Sequence, residues 1–131
     1  MTEIKVPVSP GELLDKITIL RIKSQRMSDP AKLSNVRLEL RSLEDTWNSS
    51  AYANMNIDAD VAALLSVNER LWVIEDDIRD KERAKAFDAE FIRLARAVYV
   101  ENDERAAIKR RINTTLGSSI VEEKSYRDYK S

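Results

Sequence analysis

The sequence predicts an all-α, four-helix bundle-like domain dominated by a long antiparallel helical hairpin, and three observations carry that prediction. Only two glycines and three prolines interrupt 131 residues, too few punctuating residues for a many-turned β fold. Apolar residues recur at alternating three- and four-residue steps over long stretches, the period of a helix with one buried face. Recognisable start and stop signals bracket those stretches. The length suits a single helical domain over residues 1–131, large enough for one core.

Ile4, Val6 and Val8 alternate with Lys5 and Pro7 in a short extended segment. Pro7 cannot donate a ladder hydrogen bond, so this segment suits at most an edge strand. Ser9-Pro10-Gly11-Glu12 then starts a helix over 10–27: Ser9 caps, Pro10 has its φ preset, and Glu12 completes a capping box. Leu13, Leu14, Ile17 and Leu20 share its apolar face, and Gly11 weakens its first turn. Asp29-Pro30 repeats the start signal, and Leu33, Val36, Leu40, Leu43 and Trp47 form the seam of a second helix over 30–47. Residues 48–58, NSSAYANMNID, have no period and are read as a mobile loop.

A third helix over 59–85 carries Leu64, Val67, Leu71, Ile74 and Ile78. Asp88 caps a fourth over 88–116, with Phe87 and Ile92 placed to form a hydrophobic staple and Gly117 at the left-handed stop. So short a link makes these two helices antiparallel neighbours. The tail, 118–131, is short and partly extended, and its Ile120 and Val121 suit a minimal β pairing with the N-terminal segment.

Composition excludes more chemistry than it suggests. With 43% hydrophobic and 34% charged residues the chain is globular in character and unlike a disordered tail. It has no cysteine and no histidine, so disulfides, Cys/His zinc sites and Ser-His-Asp triads are excluded. A net charge of −1 supplies no general attraction for nucleic acid or an anionic membrane. The N-terminus lacks the apolar run of a signal peptide and no stretch approaches ~18 apolar residues, so no membrane insertion and a cytoplasmic location are expected.

The candidate functional feature is a polar band inside the hairpin. Asn102, Arg105 and Lys109 interrupt the apolar stripe of the fourth helix; Asn68 and Glu75 lie on or beside the seam of the third; Arg21 shares the face of Ile17 and Leu20 on the first. Arg105 is placed to reach back toward Glu75, because helical side chains lean N-terminally. Buried charges must find partners, water or a ligand. Two readings stand side by side: a closed network that fixes helix register, or a cleft in which Arg21, Arg105 and Lys109 hold an anion while Glu75 orients them or acts as acid or base. A third sends these charges to an interface with a second subunit. No metal site is expected. The carboxylates of Glu75-Asp76-Asp77, Glu12-x-x-Asp15 and Glu101-x-x-Glu104 leave only Mg²⁺ for a nucleotide-pyrophosphatase reading, though adjacent helical carboxylates diverge.

The strings VPVSPGELLDKITILRIK (6–23), VNERLWVIEDDIR (67–79), NDERAAIKRRIN (102–113) and GSSIVEEKSY (117–126) resemble, in order, a bacterial and phage family of small helical proteins of unknown function. That resemblance spans about residues 4–126, implies a link to cell-surface polysaccharide biosynthesis, and brings no catalytic residue to carry over. A fainter likeness is to the small helical chorismate mutases, in LLDKITILRIKSQR (13–26) and FDAEFIRLARAVYVENDERA (87–106). It implies a dicarboxylate held by Arg and Lys inside a helical dimer. The leading expectation is a non-catalytic accessory or interaction module, with a homodimer or another protein as partner. The alternatives are a small enzyme or binding protein for an anionic metabolite, and a Mg²⁺-dependent pyrophosphatase.

Overall fold

The computed structural model describes residues 3–130, so Met1, Thr2 and Ser131 at the ends of the predicted terminal segments lie outside the described residues. Its helices are α1 (Pro10–Arg26), α2 (Pro30–Asn48), α3 (Asp58–Arg83) and α4 (Ala89–Leu116). Ser9 caps α1 by accepting from the Glu12 amide at 3.1 Å, and Asp29 caps α2 by accepting from the Ala31 amide at 3.0 Å. Each satisfies a backbone donor that would otherwise lack a partner.

The shortest helix is the hub. One side of α1 carries Leu13, Ile17 and Leu20 and the other carries Gly11, Asp15, Thr18 and Ile22, and all of these are buried. A helix buried on both sides must have neighbours on both sides. α2 lies beside the first, with Arg21 reaching Glu44; α3 and α4 lie on the second, and Leu13, Leu14 and Ile17 also join the core they form. α2 approaches α1 closely and neither α3 nor α4, so of its predicted seam only Val36 is buried while Leu33, Leu40, Leu43 and Trp47 stay half-exposed.

The core sits where α1 meets the hairpin, around Ile17, Leu64, Val67, Ile108 and Ile112, each at most 1% exposed. Burying side chains of this size stabilises by roughly 1.5–3 kcal/mol apiece. The 49–57 connection, read from sequence as mobile, is tied to that core. Ile57 is buried, and Tyr52 stacks on Trp47 with ring centroids 6.2 Å apart.

The hairpin turn has a different chemistry from the predicted staple. Phe87 and Ile92 are both exposed, and Phe87 instead meets Phe91 edge-on at 5.1 Å. The turn is closed by the Ala86 amide donating to the Lys81 carbonyl at 3.0 Å and the Lys85 amide to the Glu82 carbonyl at 3.1 Å. This Schellman arrangement places Lys85 in the left-handed region, φ 55°. A side chain there costs about 1 kcal/mol that glycine does not incur. Lys85→Gly is therefore expected to stabilise the protein by about 1 kcal/mol, read as a higher urea midpoint with an unchanged slope.

The described residues contain no strand, so the termini do not form the suggested β pairing. They meet through side chains: the Ser9 hydroxyl donates to Glu122 at 3.0 Å. Beyond Gly117 (φ 67°) the tail runs back along α4, pairing Glu122 with Lys109, Glu123 with Arg110 and Lys124 with Asp103 before Tyr129 reaches Tyr99. Charged partners spaced along α4 hold the tail without a backbone ladder.

Candidate functional site

The centre of the polar band is Asp15, an acid with 1% of its surface exposed. Arg105 grips it side-on, Nε to Oδ1 at 2.9 Å and Nη2 to Oδ2. Asn68 donates to the same Oδ1 at 2.9 Å and, through the same nitrogen, to the Thr18 hydroxyl at 2.9 Å. Thr18 in turn donates to the Asp15 carbonyl at 2.9 Å. A two-point guanidinium–carboxylate contact is among the stronger charged contacts, and it fixes orientation as well as charge. The hydrogen bonds that Arg105 donates to Asp15 hold its pKa above its ordinary value, against the effect of burial.

One turn along, Lys109 reaches Glu12 at 2.6 Å and Glu122 at 2.9 Å, with Asp15 at 4.0 Å. Burial works against its ammonium, but the two glutamates outweigh burial and raise its pKa. The reciprocal holds for Glu122: burial pushes its carboxyl up, and the Lys109 and Ser9 hydrogen bonds more than reverse this. At the end of the row Asn113, 1% exposed, accepts from the Gly11 amide at 2.7 Å. Among the described residues no buried side-chain polar atom lacks a partner.

The structure brings together Asn68, Arg105 and Lys109 of the predicted band, with Asn102 alongside. Asn102 donates to the Val98 carbonyl at 2.9 Å and accepts from Arg105 at 3.3 Å. Glu75 does not meet Arg105; it pairs with Arg79 one turn along its own helix. Arg21 is on the far side of α1, bonded to Glu44 at 3.1 Å. Arg21 lies where α1 meets α2, although Leu13, Leu14 and Ile17 on the apolar side of α1 join the core with the hairpin. Of the acids that complete the network, Glu12 and Asp15 were read only as a carboxylate pair for Mg²⁺ and not as part of the band, and Glu122 was not singled out. The signal for Asp15 is its position four residues after Gly11 and three before Thr18, a second inward-facing row on α1.

The acids change the electrostatics. Two bases, Arg105 and Lys109, face three acids, Glu12, Asp15 and Glu122, so the inner cluster has no surplus positive charge with which to enclose a dicarboxylate. Nor do its acids converge as a cation site: no group of three or more metal-ligating side chains suited to an ion occurs among the described residues. The outer edge of the cluster opens into a groove of about 400 Å³ between α1, α3 and α4. Ile19, Ile22, Leu71 and Trp72 form its apolar wall; Asn102 and Arg105 line one side, and Lys23, Glu75, Asp76 and Arg79 the remainder. Among the described residues, no helix is long and apolar enough to cross a membrane.

Comparison with known proteins finds a family model, "Family of unknown function (DUF6165)", matching residues 4–131. No curated protein and no solved structure matches the chain. The match extends over α1 to α4 and the tail, the elements that supply the Asp15 network, and on that match the chain belongs to the DUF6165 family, a family of unknown function.

Proposed function

We propose that the protein is a non-catalytic interaction module that associates with a second copy of itself through the outer half of the α3–α4 hairpin. The observation carrying this reading is the surface of that half. α3 and α4, of 26 and 28 residues, outreach the 17-residue α1. Their far ends are therefore only two helices thick, with Leu94 the buried residue there. Val73, Ile92 and Val100 are 43%, 58% and 42% exposed. Asp77 and Asp80 flank Val73 on the back of α3; Arg96 lies between Ile92 and Val100 on the back of α4, with Arg93 beside it paired to Glu90.

A two-fold axis setting the back of α3 against the back of the partner's α4 matches acid with base twice, as an isologous contact requires. The internal network serves this module by fixing register. Glu75, the one candidate acid or base, is engaged by Arg79, which favours a structural role for it over proton transfer.

Light scattering across a concentration series is expected to show a dimer. Arg96→Glu or Asp80→Lys alone should weaken association by about tenfold, and the double variant should recover most of the loss. A monomer at hundreds of micromolar, or equal effects from charge changes on α2, would overturn the reading.

A further inference from the structure

The groove beside Arg105 is suited to a ligand, a role separate from self-association. Its volume of about 400 Å³ falls within the usual range for small-molecule sites. Its wall is apolar, with the half-buried Trp72 indole opposite Ile19 and Ile22. Arg105 is preorganised: Asp15 takes Nε and one Nη2 hydrogen, Asn102 takes one on Nη1, and further N–H groups remain on the terminal nitrogens. The side chain is 30% exposed, and Arg105 lines the groove. An arginine fixed by a buried acid has already lost its rotamer freedom, so a ligand need not order it.

Charge narrows the class. Arg79 is occupied by Glu75 and Arg105 is balanced by Asp15. Among the described residues Lys23 and Asp76 have no ion-pair partner, and the lining as a whole carries three bases against two acids. With both arginines balanced, Lys23 and Asp76 leave no net positive charge, so the groove can take at most one negative charge, held by the remaining N–H groups of Arg105 and by Lys23, and a phosphate or dicarboxylate exceeds that. The planar fork of a guanidinium matches a carboxylate, and the indole and isoleucine wall matches a ring or short hydrocarbon body.

We infer that the α1–α3–α4 groove binds a small organic monocarboxylate with an apolar body, its carboxylate on Arg105 and Lys23 and its body against Trp72, Ile19 and Ile22. Titration of the ¹⁵N-labelled full chain with benzoate, indole-3-acetate and 4-phenylbutyrate tests this. At least one is expected to give saturable shifts at Lys23, the Trp72 indole N–H, Asn102 and the Arg105 side chain. Affinity should fall about tenfold in Lys23→Glu, a rim change that leaves the Asp15 network in place. The neutral alcohol 4-phenyl-1-butanol and inorganic phosphate should give no such shifts. Three silent carboxylates at millimolar concentration would overturn the inference. So would equal shifts from the alcohol, a phosphate response at the same residues, or unchanged affinity in Lys23→Glu. Each of these readouts is independent of whether the hairpin dimerises.

Discussion

Gly11→Ala is expected to destabilise the protein by about 3 kcal/mol, although alanine is the better helix former. A Cβ at position 11 would lie 2.6 Å from the Lys109 carbonyl oxygen and 2.9 Å from Asn113 Oδ1. The first of these is backbone, which cannot swing aside as a side chain can. Relief requires α1 and α4 to move apart, and the Gly11 amide then loses its 2.7 Å bond to buried Asn113. Overpacking costs about 1–3 kcal/mol and an unmade buried hydrogen bond about 1–3 more; an intrinsic helix gain of at most about 1 offsets part of this. In a thermal melt the expected drop is on the order of 10 °C. An unchanged or raised melting temperature would show that the two helices are not held at this separation.

The second large effect is at the Asp15–Arg105 pair. Arg105→Ala leaves a carboxylate with 1% exposure deprived of its two-point partner, and breaking a buried pair from one side costs about 3–5 kcal/mol. The low end is expected, because Asn68 still donates to Oδ1 and Lys109 lies 4.0 Å from Oδ2. Adding Asp15→Asn to Arg105→Ala removes the stranded charge and should return more than about 1 kcal/mol of the loss, a non-additivity that a double-mutant cycle by urea denaturation measures. Strict additivity would mean that the two side chains do not depend on each other. Arg21→Ala is the contrasting control: its partner Glu44 is well exposed, and surface pairs contribute about 0–1 kcal/mol.

Much of the local structure was legible in the residues. Ser9, Asp29 and Asp88 cap where their side-chain chemistry places them, and Gly117 stops α4 in the left-handed conformation. The membership of the band was partly legible too: Asn68 and Arg105, both read into it from helical periodicity, meet at the same oxygen of Asp15. The Lys85 turn was not, because Lys carries no preference for a positive φ and the Schellman bonds alone hold it there.

The polar band divides in the same way. That charged and amide groups interrupt the inner stripe of α4 follows from helical periodicity alone, and burial then demands partners for them. Which partners they find is not a local property. One apolar row on α1 was evident, but the buried surface of α1 is wider than that row, because α2 covers one flank while α3 and α4 pack on the row itself and on the Gly11–Asp15–Thr18–Ile22 side. The sequence by itself therefore determined the four helices, their caps, the antiparallel hairpin and the presence of polar groups within it. Only the tertiary structure decided that Arg21 turns away to Glu44, that Glu75 stays on its own helix with Arg79, and that Gly11 permits α1 to approach α4 closely enough for Asp15 to reach Arg105. The physical reason is that helix period specifies a direction for each side chain, while the packing of neighbouring helices specifies what lies in that direction.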